Sequence, residues 1–376
     1  LHATGVVKKH PKTVLRAASL QNYRNFERAL LSFDAHLNLI LGNNGQGKTN
    51  LLEAIHVLCT SRPFAHVPNR ELVRFGQETA KLKGEFATPA GINEVHVTLT
   101  ADAKSLRLNG KVVPNALALK GRFPVVVFLP DDVAVVKGPP HLRRRLLDEM
   151  LFALDPKHAE DAREYAKALA QRNAVLQREP QTADMVAPWN ELLARHGGRM
   201  VTRRLELAER LSPMVEKIYR AVSRDPRRVA LVYETSFPVA DGMEQSIRQG
   251  LERYAERDRR MGHTTVGPHR DKVEITLDGR SAATFASQGE AKTLALALRC
   301  AEISLYRGAK GVSPLVLLDD ISSELDESRN AYLFRLLSEY DGQLFVTSTS
   351  RRDAPLEAVG RVFRISKGKV SIEERP

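Results

Sequence analysis

Residues 39–55 read LILGNNGQGKTNLLEAI. An apolar run, Leu39 to Leu41, leads into a glycine-rich loop, and apolar residues at helical spacing follow at Leu51, Leu52, Ile55 and Leu58. The loop Gly42-Asn43-Asn44-Gly45-Gln46-Gly47-Lys48-Thr49 fits the spacing G-x-x-x-x-G-K-[ST]. Its glycines let backbone N–H groups turn inward around phosphate oxygens. The helix that opens at its end adds the positive pole of its dipole. Lys48 is placed to reach the β and γ phosphates of a nucleotide, and the Thr49 hydroxyl to hold Mg2+. A strand before the loop and a helix after it make a chance glycine cluster a poor explanation.

A second apolar run, LVLLDD at Leu315 to Asp320, ends in two carboxylates. Alone it is weak, because apolar strands ending in Asp are common. Paired with the phosphate loop it predicts that Asp319 binds Mg2+ through water and that Asp320 orients or deprotonates an attacking water. Most of the chain separates Lys48 from these acids, so the sequence predicts an ATPase split by an inserted segment.

The stretches between the two motifs differ in character. Up to Val136 the pattern is mostly β, with strands at VLRAASL, LNLILG, EVHVTLT and PVVVFL and an Asn109-Gly110 hairpin signal. From Pro139 to Arg260 it is mostly helical. Asp155 is the expected N-cap of a long helix with Pro156 in its first turn, Pro180 ends it, and a second long helix from Pro188 pairs back against it. From Gly262 onward β/α character returns, with a hairpin at Asp278-Gly279, a long helix at GEAKTLALALRCAEISLYR, buried strands at PLVLLDD and QLFVTSTS, and a closing hairpin at RVFRISKGKVSIEE. The reading is residues 1–12 as a disordered extension, 13–136 with 262–376 as domain I, and 137–261 as a mainly helical domain II.

Composition narrows the class. The 376 residues are 43% hydrophobic and 27% charged, enough for a substantial core. No apolar run approaches the roughly 18 residues that cross a bilayer, and the N-terminal stretch has no secretory-type segment. Cys59 and Cys300 are too few and too far apart for a disulfide framework or a zinc site, and are expected as buried thiols in a reducing cytosol. The net charge of +12 favours a polyanionic partner. The arginine clusters Arg143 to Arg145, Arg203 with Arg204, and Arg257 to Arg260 are read either as solvated helix faces or as a surface that tracks phosphates. With one Trp, no base-stacking platform is evident. His263, His269 and Asp271 lie in one loop, but without further ligands they are expected to order the loop rather than bind a metal.

A third element, FASQGEAKTLALALRCAE, places Ser287-Gln288-Gly289-Glu290 just before a long helix. In isolation an ordinary capped helix is the better explanation. In order along the chain, however, phosphate loop, inserted lobe, serine motif and acid strand follow the plan of ABC-type ATPases. Ser322 to Asp326, SSELD, then falls where that class has its dimer-contact loop. NYRNF at Asn22 to Phe26, GNNGQGKTNLLEAI, FLPDDVAVVKGPPHLRRRLLDE, HTTVGPHRDKVEI, SQGEAKTLALALRCAE and LLDDISSELD together resemble the RecF family, of the SMC/Rad50-like branch, from about Leu15 to the C-terminal hairpin.

The resemblance implies an α/β fold: an ABC-type P-loop ATPase head, with a Rossmann-like core and a β-subdomain, and an inserted α-helical lobe. It implies ATP and Mg2+ as cofactors, with Gly42 to Asn50 (Asn50 closing the loop motif) and Ser287, Gln288, Gly289 and Glu290 as nucleotide contacts. Lys48 and Asp320 would be catalytic, and Thr49 and Asp319 would hold the metal. It further implies an ATP-dependent homodimer in which Ser287 of one copy meets the nucleotide held by the other. The implied partners are duplex and gapped DNA, with single-stranded DNA left open, then RecR and RecO and, indirectly, RecA. The implied setting is recombinational repair, replication and the SOS response in the cytoplasm, at the nucleoid, with no membrane. An SMC-like chromosome ATPase and an ABC transporter subunit are the competing classes. The first needs far longer coiled coils, and the second a Q-loop glutamine and a switch histidine. Here LPDD stands at the first position, and Thr347, Ser348 and Thr349 at the second. The short carboxylate of Asp320 predicts slow hydrolysis.

Overall fold

The computed structural model describes residues 11–65, 67–113, 119, 121–178, 183–239, 242–320, 325–351 and 360–373. The chain divides into two units, Leu1–Asp131 with Glu302–Pro376, and Asp132–Ala301. The first unit holds two six-stranded sheets. One runs β2-β1-β4-β5-β6-β7 and is antiparallel: β1 (Val14–Tyr23), β2 (Phe26–Ser32), β4 (Ala80–Thr88), β5 (Gly91–Leu99), β6 (Lys104–Leu108) and β7 (Lys111–Val113). The other runs β15-β14-β3-β13-β12-β8. Its members are β3 (Leu37–Leu41), β8 (Val125–Phe128), β12 (Leu315–Leu318), β13 (Leu344–Ser348), β14 (Arg361–Ser366) and β15 (Lys369–Glu373). All its pairings are parallel except that of β14 with β15.

Every residue of β3, β12 and β13 is buried. That is why these strands read as continuous apolar runs instead of alternating ones. Helix α1 (Lys48–Thr60) packs against β1, β4 and β5 of the first sheet and β13 of the second. A helix between two sheets is apolar nearly all round, and Leu51, Leu52, Ala54, Ile55, Val57, Leu58 and Cys59 are all buried. Short helix α2 (Asn69–Leu72) lies between α1 and β4, and α11 (Glu327–Ser338), capped by Asp326, between β12 and β13. Two-residue turns at Asn109-Gly110 and Lys367-Gly368 have positive φ at both positions, as tight hairpins require.

The second unit is mainly helical. It contains α3 (Val133–Lys137), α4 (Pro140–Leu154), α5 (Pro156–Leu176), α6 (Ala183–Ser223), α7 (Met243–Arg253), α8 (Ala255–Met261), α9 (Ala282–Phe285) and the start of α10 (Gln288–Lys310). A small sheet runs β11-β10-β9, made of β9 (Val229–Glu234), β10 (Lys272–Leu277) and β11 (Arg280–Ser281). Asp155 caps α5 by accepting the Lys157 N–H, with Pro156 in the first turn, as expected. Helices α5, α6 and α7 share a core of Tyr165, Ala168, Leu193, Ala194, Val201, Ile247 and Leu251. A Cβ on Gly198 would lie 2.8 Å from the Glu244 backbone, so that glycine sets how closely α6 approaches α7.

Three features differ from the sequence expectations. The second long helix begins at Ala183 and carries Pro188 inside its early turns. Residues 262–301, expected with domain I, fall in the helical unit, because β10 pairs with β9 along its whole length. The Asp278-Gly279 hairpin is cut short after Ser281, and residues 282–285 turn helical. Residues 1–10 of the expected extension lie outside the described residues, whereas Lys12 forms a bridge with Ser313 and donates to the Ala35 carbonyl.

A candidate nucleotide-binding site

The loop at residues 42–47 leaves β3 and enters α1 at Lys48. Gly45 and Gly47 have φ of 76° and 113°, a region closed to most side chains. Gly47 is doubly constrained, since a Cβ there would lie 2.4 Å from the Asn25 amide. Asn43, Asn44 and Gly45 are exposed, and so is Thr49. The Lys48 side chain is buried and donates to the Gly42 carbonyl at 2.8 Å, the Asn44 Oδ1 at 3.2 Å and the Asn43 carbonyl at 3.4 Å. All three acceptors are neutral, so among the described residues no hydrogen-bonded carboxylate offsets the ammonium charge.

The acid strand meets this loop directly. Thr49 Oγ1 donates to Asp319 Oδ2 at 2.8 Å, and Thr347 Oγ1 donates to Asp319 Oδ1 at 2.9 Å. Asp319 is held in place through its own N–H, which bonds the Phe128 carbonyl of β8. Burial pushes the Asp319 carboxyl above its ordinary value; the two hydroxyls partly counter this, and the neighbouring Asp320 adds to it. Asp320 has a φ of 48°, and its N–H donates to Thr347 Oγ1 at 2.8 Å. One hydroxyl, that of Thr347, thus orients both acids from β13, where the switch histidine of other ABC-type ATPases is missing.

Several supports were not singled out from the sequence. Asn25, in the β1–β2 turn, donates to the Gln46 carbonyl at 2.8 Å and accepts from Asn50 Nδ2 at 2.9 Å. Gln46 Oε1 accepts the Lys367 N–H of the β14–β15 turn at 2.6 Å. Gln46 and Asn50, both expected at the nucleotide, therefore use these groups to brace the loop from behind. Arg24 grips the buried Glu53 of α1 with two bonds, 2.8 and 3.0 Å, and Tyr23 adds a third at 2.9 Å. The signal for Asn25 was the NYRNF motif, in which a polar residue sits inside a tight turn.

The Ser287 segment belongs to the other unit. Ser287 N–H donates to Glu290 Oε2 at 2.6 Å, and Glu290 N–H donates back to Ser287 Oγ at 3.2 Å. This reciprocal capping box opens α10. Ser287 and Gln288 are exposed, while Gly289 and Glu290 are half-buried. Of the loop at Ser322 to Asp326, residues 322–324 lie outside the described residues.

The histidine loop orders the helical unit. His269 Nε2 bonds the Thr264 carbonyl, so that nitrogen carries the proton and Nδ1 accepts from Tyr165 OH at 2.7 Å. Burial lowers the pKa of this neutral imidazole to about 4. Asp271 accepts from Tyr233 OH, Ser236 N and Ser236 Oγ. No cluster of metal-ligating groups occurs among the described residues. The arginine clusters are largely consumed as well. Arg143 is buried and donates to the carbonyls of Val273, Val135, Val136 and Gly138. Arg204 forms a two-bond pair with Asp148, and Arg203 pairs with Asp155 and Asp161. These side chains hold the fold, whereas Arg145, Arg257, Arg259 and Arg260 remain exposed.

Comparison with known proteins agrees with this geometry. The RecF/RecN/SMC N terminal domain family matches residues 14–372. A DNA replication and repair protein RecF from Syntrophotalea carbinolica is 37% identical over 361 residues, 95% of this chain and 99% of its own. The protein of that name from Myxococcus xanthus is 38% identical over 344 residues, 89% and 90% of the two chains. Among solved structures, the recombination mediator protein RecF-ATP of the RecFOR pathway superposes with a TM-score of 0.90 at 28% identity, covering 100% of both chains. An Smc head domain from Pyrococcus furiosus shares the fold at a TM-score of 0.57 and 16% identity, over 96% of each chain. The chain belongs to the RecF family of DNA replication and repair proteins, built on an ABC-type ATPase head.

Proposed function

We propose that the protein is an ATP-dependent recombination mediator of the RecFOR pathway. In this reading ATP joins two copies head to tail, the dimer holds duplex or gapped DNA, and slow hydrolysis releases it. RecR and RecO are the partners, and RecA is the recombinase loaded as a result, in support of replication and the SOS response. The protein would act in the cytoplasm at the nucleoid. The observation that carries the reading is the 2.8 Å bond from Thr49 to Asp319, which joins the phosphate loop to the acid strand.

The residues present fit a magnesium nucleotide. A hydroxyl and a carboxylate side by side are the hard oxygen donors that Mg2+ takes, and a buried ammonium bonded to neutral oxygens among the described residues favours an anion. Thr49 and Asp319 would hold the cation, which when bound draws negative charge from phosphate oxygens. Lys48 would bind the β and γ phosphates, helped by the amides of Gly45 to Thr49 at the start of α1. Asp320 would orient water, with its backbone set by Thr347. Ser287 would donate its hydroxyl to the γ phosphate held by a second copy. Hydrolysis is expected well below the ~10 s−1 typical of enzymes.

Light scattering with and without ATP and duplex DNA tests the reading. The parent protein should dimerise with ATP. Lys48→Met should lose both ATP binding and dimerisation, whereas Ser287→Arg should keep ATP binding and lose dimerisation. Dimerisation left intact in both variants, or a fast single-site turnover, would remove the sandwich mechanism.

A further inference from the structure

We propose that Arg227, which no motif marks, is a positioning residue for Ser287, acting by neutralising Glu290 beside the point where Ser287 presents its hydroxyl. The proposal rests on the reading of Ser287 given above and extends it to a residue some sixty positions earlier in the chain.

The contacts form a short relay within the helical unit. Asp225 anchors Arg227, accepting its backbone N–H at 3.0 Å and its Nε at 2.8 Å. Tyr219 OH donates to the same carboxylate at 3.3 Å. Arg227 Nη2 bonds both Asp225 Oδ2 and Glu290 Oε1. The other oxygen of Glu290 takes the Ser287 N–H at 2.6 Å, and the Glu290 N–H bonds Ser287 Oγ. The guanidinium therefore fixes the carboxylate that fixes the serine. Because Ser287 Oγ accepts a hydrogen bond from inside the helix, its own proton is left to donate outward.

Charge makes the relay more than a brace. A carboxylate in the first turn of a helix stabilises the helix, yet here it sits three residues from a serine read as meeting a triphosphate. Like charges repel more strongly as water is excluded between two closing surfaces. Arg227 supplies the compensating cation through the carboxylate oxygen that does not bond Ser287. Its contacts hold the carboxyls of both Asp225, at about 2, and Glu290 below their ordinary values, so both stay ionised at neutral pH.

The test is a charge rescue. Arg227→Ala should weaken ATP-induced dimerisation by about tenfold or more, the scale of one lost charge-assisted contact, while ATP titration calorimetry still reports binding at the phosphate loop. Adding Glu290→Gln to Arg227→Ala should restore most of the loss, because glutamine can still complete the capping box but carries no charge. A purely structural role predicts the opposite, since both double and single variants lack the ion pair and the double would be no better. Failure of the rescue, or Arg227→Ala dimerising like the parent, overturns the proposal. Should the alanine variant be unstable in a thermal melt, Arg227→Gln makes the same comparison. The Ser287 reading fails separately, and first, if the parent and Ser287→Arg dimerise alike.

Discussion

The loops at residues 42–49 and 263–271 use similar materials: glycine, threonine and ionisable candidate ligands, Lys48 in the first and His263, His269 and Asp271 in the second. They end in opposite roles. In the second, both nitrogens of His269, both oxygens of Asp271 and the Tyr165 hydroxyl are consumed by partners from the same unit. In the first, the bracing contacts approach from Asn25 and Lys367, while Asn43 to Gly45 and Thr49 stay exposed and the Lys48 ammonium, among the described residues, bonds neutral oxygens. What separates a ligand loop from a structural one is therefore not residue type. It is whether binding capacity is left over once the fold has taken its share.

The sharpest way to break this comparison is to damage the structural loop and look for a functional effect. Arg172 and Asp258 are buried at 1% and 0% exposure and bonded at 2.7 Å. Asp258 also accepts from the backbone and hydroxyl of Thr265, inside the loop. Asp258→Ala leaves the guanidinium buried without its carboxylate, which costs about 3–5 kcal/mol. Urea unfolding should show that loss, while ATP affinity of the folded protein stays within twofold of the parent. A large change in ATP affinity with unchanged stability would falsify the structural assignment.

Two carboxylates, Asp148 half-buried and Asp319 buried, sharpen the same contrast by pH. Asp148 pairs with Arg204 and accepts from His158, and its pKa is lowered to about 2; burial opposes this but Arg204 outweighs it. Its folded value lies below the unfolded one. The stability it contributes, about 2 kcal/mol, is therefore complete above pH ~4 and lost as pH falls through ~2. Asp319 shifts the other way, because it is buried against hydroxyls rather than a guanidinium. Its ionised form opposes folding as pH rises through its raised value, a cost that a bound cation would offset. Acid unfolding of the parent should be steeper between pH 4 and 2 than that of Asp148→Asn. Equal slopes would place the acid sensitivity elsewhere.

Much of the core site was legible in the sequence because its parts are local. The phosphate loop must be contiguous to curl around an anion, and the acid strand must be apolar on both faces, so Lys48, Thr49 and Asp319 could be paired across most of the chain. Helix caps were equally readable at Asp155. The arginine clusters were not: a run such as Arg143 to Arg145 looks the same whether it faces solvent or buries one guanidinium among four carbonyls. Asn25 and Arg227 were missed for a related reason. Each acts through a contact made by folding, with no spacing rule to announce it.

Asn25 supplies the smallest and most specific test. Its side chain donates to Gln46 and accepts from Asn50, and so ties the middle of the phosphate loop to the first turn of α1. Replacing it by alanine removes two hydrogen bonds of about 1 kcal/mol each. The groups left behind differ in what they can recover. Asn50 Nδ2 is half-buried and can reach water, whereas the Gln46 carbonyl loses the donor that fixes its direction. Global stability should fall by only about 1 kcal/mol. The larger consequence should be kinetic and local: Gly47, with its φ of 113°, would no longer be pressed against Asn25, and the loop would sample orientations in which its amides diverge. ATP affinity is therefore expected to drop about tenfold, more than the stability change alone accounts for, and amide exchange should quicken at residues 45–47 but not in α5. Uniform exchange across both units would mean that Asn25 supports the fold at large and not the loop.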